Sequence, residues 1–131
     1  MEIPFRFFGW YEAFDPVYIA TASDAEEVSA QYGNIPLGKP SPFLYLCAAY
    51  GRRTENYGAY IKDGRIHASD EVYVIGDSYS DVLGARAAGA RFIGVLTGLT
   101  GKAAAAMFEK EKAIYSENVL TAVWEHILKR D

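Results

Sequence analysis

The clearest alternation of apolar and polar positions lies in the middle of the chain. Four consecutive residues, Val72–Ile75, are β-branched or aromatic, which is typical of a buried strand. After a polar break at residues 76–81, small and apolar residues follow a helical period as far as Gly89, a residue type common just beyond a helix. A second apolar run, Arg91–Leu96, comes next. This pattern predicts a strand, a loop, a helix and a second strand.

Weaker patterns precede this unit. Val17–Ala20 is a short apolar run that predicts a strand ending in hydroxyl residues. A helix is predicted from Ser23 or Asp24, either of which suits an N-cap, to about Tyr32. Phe43–Tyr50 is apolar on almost every side, so we expect a buried helix there, entered through a serine and a proline.

The remaining segments complete an alternating α/β pattern. Residues 51–69 form a polar insertion in which Tyr60–His67 predicts a hairpin around Asp-Gly. Further along, Ala103–Lys112 predicts a helix, Ala113–Tyr115 a last short strand, and Leu120–Lys129 an amphipathic helix. Alternating strands and helices indicate a parallel sheet with helices on both faces.

Composition narrows the class of protein. The 131 residues are 50% hydrophobic and 15% aromatic, which is enough for one folded domain over residues 1–131. The net charge is −4 and there is no basic run, which argues against nucleic-acid binding. The single Cys47 cannot form an internal disulfide. Without a signal peptide or a membrane-length apolar run, the sequence predicts a soluble cytoplasmic domain.

Two carboxylates follow the first strand of the central unit. Asp77 comes directly after the strand, and Asp81 lies four residues later at the predicted start of the helix. Ligands bind at the carboxyl ends of strands in open α/β sheets, and carboxylate oxygens suit Mg²⁺. The alternative is structural: Asp81 would N-cap the helix and Asp77 would close a turn.

Several short motifs, taken in order, resemble those of the haloacid dehalogenase-like (HAD) phosphohydrolase superfamily. The resemblance covers roughly residues 17–98 and is closest to the sugar-phosphate and nitrophenylphosphate phosphatase branch. It implies a three-layer Rossmann-like parallel sheet and Mg²⁺-dependent hydrolysis of phosphate monoesters. The matching residues are Gly38-Lys39-Pro40-Ser41-Pro42, Gly76-Asp77-Ser78 with Asp81, Ala85, Ala88 and Gly89, and Gly94-Val95-Leu96-Thr97-Gly98.

The resemblance assigns roles to four residues. Lys39 matches the lysine that neutralises the phosphoryl group, and Asp77 matches the acid that holds Mg²⁺. Asp81 matches a second acid, which reaches the metal through water or pairs with the lysine. Thr21 matches, less closely, the hydroxyl that binds phosphoryl oxygens, with Ser23 as the competing residue. The implied substrate is a small phosphorylated molecule.

The family's nucleophile motif, Asp-x-Asp-Gly-Thr after an N-terminal strand, is absent from these 131 residues. The resemblance places that strand beside the Asp77 strand, so we expect an incomplete sheet with a slot. A second polypeptide could supply the strand in a split enzyme, or another copy could exchange its aromatic segment Ile3–Trp10. The chain could also be a truncated product or a decayed enzyme. The alternative function is a non-catalytic HAD-like domain that acts as a binding or interaction module.

Overall fold

The structure, a computed structural model, describes residues 15–98 and 101–129. The aromatic segment at the N-terminus therefore lies outside the described residues. Short 3-10 turns occupy Pro16–Tyr18, Thr54–Asn56 and Gly101–Ala103. The helices and strands, in chain order, are α1 (Ala22–Gln31), α2 (Phe43–Tyr50), α3 (Tyr57–Asp63), β1 (Tyr73–Gly76), α4 (Tyr79–Ala88), β2 (Arg91–Val95), α5 (Ala104–Lys110), β3 (Ile114–Ser116) and α6 (Val119–Val123), which continues as a π-helical turn over Trp124–Leu128.

The three strands form one parallel sheet in the order β1-β2-β3. Val74 is in register with Phe92, and Ile93 is in register with Ile114. Within the described residues β2 is central and β1 pairs with no strand on its other side. The edge of β1 where the family resemblance places the nucleophile strand is therefore open in this part of the chain.

Side chains of β2 alternate between two apolar clusters. Phe92 packs against the cluster of Val82 and Phe108, from α4 and α5. Ile93 joins the other cluster with Ala122 of α6. Successive strand residues point to opposite faces, so helices cover both faces of the sheet. The predicted three-layer, Rossmann-like α/β architecture is confirmed.

The central unit was predicted to within a residue or two at each boundary, but the strand predicted at Val17–Ala20 is wrong. Pro16–Tyr18 is a 3-10 turn capped by the Asp15 side chain, which accepts from the Val17 N–H at 3.0 Å. The Val17 carbonyl accepts from the Arg52 N–H at 2.7 Å. A strand needs a neighbouring strand for its backbone groups, and no described strand lies beside this segment.

The hairpin predicted over residues 60–67 is also wrong, because Tyr57–Asp63 forms helix α3. Tyr57 and Tyr60, three residues apart, both pack their rings edge-on against Phe43, with centroids 5.4 and 6.3 Å away. Gly64 follows the helix, and a Cβ there would lie 2.3 Å from the Tyr60 carbonyl oxygen. The glycine therefore permits a close approach to the helix rather than a hairpin turn.

Gly94 gives a direct test of the packing between sheet and helix. An added Cβ would lie 2.6 Å from the Phe108 ring, which is fully buried beneath β2. We expect Gly94→Ala to lower the free energy of unfolding by about 1–3 kcal/mol, the usual cost of overpacking a core. Gly58→Ala is the control, because a Cβ at this α3 position meets nothing within 4 Å. Urea denaturation measures both, and equal stabilities would contradict the packing described here.

The C-terminal helix carries an exposed apolar stripe. Leu120, Trp124 and Leu128 recur at a spacing of four residues and are 80%, 57% and 65% exposed. Ala122 on the same helix is fully buried against the sheet. The stripe therefore lies on the outer side of the helix, where nothing in the described chain covers it. None of the described helices has the length and apolar character needed to cross a membrane.

Candidate active site

An open cleft lies at the carboxyl ends of β1 and β2. Its volume is about 350 Å³. Asp77 enters it directly after β1, and Thr97 and Gly98 enter it shortly after β2. Lys39 reaches it from the segment before α2. The lining residues are Lys39, Tyr45, Val74, Ile75, Gly76, Asp77, Asp81, Val95, Thr97 and Gly98.

The first turn of α4 fixes Asp81. Ser78 is the N-cap, and its hydroxyl accepts from the Asp81 backbone N–H at 3.2 Å. The same hydroxyl lies 3.0 Å from Asp81 Oδ2, to which it can donate. The structural alternative in which Asp81 caps the helix is therefore wrong. Gly76 makes room for this side chain, since a Cβ there would lie 2.6 Å from Asp81 Oδ2.

Asp81 is the centre of the polar contacts in the cleft. Its Oδ1 lies 2.7 Å from Lys39 Nζ and accepts from Tyr45 Oη at 2.8 Å. The Asp81 side chain is 6% exposed, whereas that of Lys39 is 49% exposed. Asp81 therefore pairs with the lysine, one of the two arrangements that the sequence left open for it.

These contacts set the protonation states around Asp81. Burial alone would raise the pKa of Asp81, but hydrogen bonds from Lys39, Tyr45 and Ser78 outweigh it and hold the pKa below its usual value. Burial raises the pKa of Tyr45 well above its usual value, and the hydrogen bond to Asp81 adds to this. At neutral pH the carboxylate is therefore charged and the phenol is a hydrogen-bond donor.

The Asp77 carboxylate packs against the backbone of Gly98 and has no hydrogen-bonded side-chain partner among the described residues. A Cβ on Gly98 would lie 1.7 Å from Asp77 Oδ2, so only glycine leaves space for this carboxylate. No group within residues 15–98 or 101–129 donates a hydrogen bond to the Asp77 side chain. Its carboxylate thus lines the cleft with Oδ2 close to Gly98 and with no described hydrogen-bond donor.

The carboxylates of the cleft suit a Mg²⁺ ion that retains several water ligands. No group of three or more His, Cys, Asp or Glu side chains suited to a metal occurs among the described residues. Mg²⁺ commonly binds through one or two carboxylates together with water and substrate phosphate. Asp77, whose carboxylate has no described hydrogen-bond partner, meets that description, and Asp81 lines the same cleft with its oxygens held by Lys39, Tyr45 and Ser78.

Comparison with known proteins agrees with this geometry. A model of the HAD-hydrolase-like family matches residues 36–122, which include Lys39, Asp77 and Asp81. The chain belongs to the HAD-hydrolase-like family. The superfamily predicted from the motifs is thus confirmed, while the phosphatase branch stays a prediction.

A solved structure extends the likeness beyond the matched segment. An X-ray structure of a Northeast Structural Genomics Consortium target is 42% identical to this chain, with a TM-score of 0.84. The alignment covers 97% of this HAD-like chain and 35% of the other chain. The present chain thus spans about a third of the length of that protein. No match was found among curated proteins.

Thr21, the predicted phosphate-binding hydroxyl, does not line the cleft. Its hydroxyl caps α1, accepting from the Asp24 N–H at 3.4 Å and donating to the Asp24 carboxylate at 3.1 Å. The Asp24 carboxylate also accepts from the Thr21 N–H at 2.7 Å, which completes a capping box. Thr21 is therefore the N-cap of the helix predicted to begin from Ser23 or Asp24.

Two residues of the HAD-like cleft were assigned no role from the sequence. Thr97 belongs to the matching motif that ends at Gly98, and it lines the cleft just beyond the carboxyl end of β2. Tyr45 was treated only as part of an apolar helix. The feature that could have identified Tyr45 from the sequence is its hydroxyl, because a tyrosine on a buried helix usually finds a hydrogen-bond partner.

Proposed function

We propose that this HAD-like domain is a Mg²⁺-dependent phosphohydrolase of phosphate monoesters, or the lysine-and-metal part of a split one. The observation that carries the proposal is the Lys39–Asp81 ion pair, 2.7 Å long, in the same cleft as Asp77. Phosphoryl transfer depends mainly on positioning and on neutralising the phosphoryl oxygens. An ammonium and a carboxylate without a described hydrogen-bond partner, both lining one cleft, suit that task.

Each residue in the cleft has a distinct part in this proposal. Lys39 would bind the phosphoryl oxygens, and the buried Asp81 would keep its ammonium in the cleft. Asp77 would hold Mg²⁺, which when bound supplies a second positive charge to the phosphoryl group. The Thr97 hydroxyl lines the cleft and can donate to a bound phosphate, whereas the Thr21 hydroxyl already donates within the capping box.

The nucleophile is the missing part. Asp77 and Asp81 are the carboxylates among the described residues that line the cleft, and both already have roles. We propose that a strand from outside the described residues pairs with the open edge of β1 and brings the nucleophilic carboxylate. A second polypeptide, another copy of this chain, or a longer chain that includes these 131 residues would supply it. The exposed stripe of Leu120, Trp124 and Leu128 supports such a partner, because clustered apolar surface marks interaction sites.

A non-catalytic binding module is the second candidate. Among the described residues, those that line the cleft include no carboxylate besides Asp77 and Asp81, which favours it. In that case the cleft would bind a phosphorylated molecule or a partner and release it unchanged. Activity and assembly measured on one sample separate the two candidates.

We expect the 131-residue chain alone to show no hydrolysis of p-nitrophenyl phosphate, even with Mg²⁺, because covalent phosphoryl transfer needs an in-line carboxylate nucleophile. Adding a polypeptide that carries the nucleophile strand should produce Mg²⁺-dependent hydrolysis. Light scattering on the same samples should show an assembly larger than one chain. An active monomer would contradict the split enzyme. Phosphate binding without hydrolysis in either mixture would favour the binding module.

A further inference from the structure

Tyr45 connects the two helices that flank the cleft. It lies on α2, six residues after Lys39, and its ring rests against Gly84 of α4. A Cβ on Gly84 would lie 2.3 Å from Tyr45 Cε2, so the ring occupies the space that a side chain would fill. This close approach fixes the tyrosine ring between α2 and α4.

The Tyr45 hydroxyl and the Lys39 ammonium share one oxygen. Tyr45 Oη donates to Asp81 Oδ1 at 2.8 Å, and Lys39 Nζ lies 2.7 Å from the same atom. Ser78 meets the other oxygen, Oδ2, at 3.0 Å. The carboxylate is thus held from two sides by side chains with few rotatable bonds, and Lys39 contacts it from a third.

Lys39 needs such a fixed anchor. It is a long side chain, about half exposed, and its ion pair with Asp81 is the salt bridge that holds its end in the cleft. A flexible ammonium loses conformational entropy when it is held, so a rotating carboxylate would retain it poorly. We propose that Tyr45 is a positioning residue, whose hydroxyl holds Asp81 in the orientation that keeps the Lys39 ammonium in the cleft.

Lysine acetylation of the metal-free chain tests this without any bound ligand. In Tyr45→Phe we expect the acetylation rate of Lys39, relative to that of exposed Lys110, to rise about threefold, in line with the loss of one hydrogen bond. Tyr60→Phe is the matched control. It removes a buried hydroxyl that donates to the Gly51 carbonyl at 3.1 Å, away from the cleft. An unchanged ratio in Tyr45→Phe, or an equal rise in both variants, would overturn the proposal.

A second measurement rests on the proposed function. Calorimetry with inorganic phosphate and Mg²⁺ should show binding to Tyr45→Phe weakened about 3- to 10-fold, while Tyr60→Phe binds as the unmodified chain does. Equal weakening in both variants would indicate a general structural effect and overturn the proposal. If the unmodified chain binds no phosphate, the proposed function fails, and the acetylation ratio still decides the role of Tyr45.

Discussion

Asp77→Asn is expected to lower the affinity for Mg²⁺ by at least about tenfold, because it removes the charge of the carboxylate that lines the cleft without a described hydrogen-bond partner. The fold should tolerate the change, since no described group donates a hydrogen bond to the Asp77 carboxylate. Asparagine has nearly the same shape and so still fits against Gly98. Removing one of two neighbouring acids also relieves repulsion, so the metal-free Tm should stay level or rise. Isothermal titration calorimetry and thermal denaturation measure the two effects.

The control for this variant is Glu26→Gln, which also replaces a carboxylate with an amide, at an exposed position of α1. It should leave both Mg²⁺ affinity and Tm unchanged. A large fall in the metal-free Tm of Asp77→Asn would show that Asp77 is structural. Equal Mg²⁺ affinity in Asp77→Asn and the unmodified chain would remove Asp77 from the metal site.

Lys39→Met is expected to destabilise the fold at neutral pH and to have little effect in acid. The variant leaves Asp81 buried with one partner fewer, which costs about 1–2 kcal/mol in the free energy of unfolding. Because the folded pKa of Asp81 is lowered, its carboxylate stabilises the fold above the unfolded pKa, and this contribution is lost as pH falls through the folded pKa. Without Lys39 the depression of the pKa is smaller, so the contribution is smaller and its loss is complete at a higher pH.

Urea denaturation between about pH 2 and pH 7 measures this difference, since unperturbed carboxyl groups titrate near pH 4. The gap between Lys39→Met and the unmodified chain should be largest near neutrality and should close once Asp81 is protonated in both. Lys110→Met, an exposed lysine on α5, should show no such pH dependence. A gap of constant size at every pH would indicate lost packing of the lysine stem instead of a lost ion pair.

The elements that the sequence predicted best are those with local signals. The β1–α4–β2 unit has a β-branched run, a helical period and Gly89, which is left-handed at φ 78° as a helix end favours. The wrong predictions depended on distant partners. Val17–Ala20 had the composition of a strand, but no described strand lies beside it. Tyr57 and Tyr60 have a helical spacing, but the Asp-Gly pair that follows them suggested a hairpin turn instead.

The residues of the candidate site also divide into those with a local sequence signal and those that depend on a distant partner. Lys39, Asp77 and Asp81 came from short motifs, and the structure brings all three to one cleft. The hydrogen bond from Tyr45 to Asp81 joins residues 36 positions apart, so no local pattern reveals it. Thr21 was assigned from the family resemblance, but no strand forms before it and its hydroxyl caps the helix that follows.

The sequence positions of Asp77 and Asp81, far from Lys39, imply that the two acids come together earlier in folding than the lysine joins them. Asp77 and Asp81 lie within the continuous stretch Tyr73–Val95, whose contacts are short in sequence and so form early at low entropic cost. Lys39 joins only when α2 docks on α4, since its partner is far along the chain. A partly folded chain would therefore hold the two acids in place before their counterion arrives. Docking of α2 on α4 thus brings one positive charge to a cleft that the continuous stretch alone would leave with two acids.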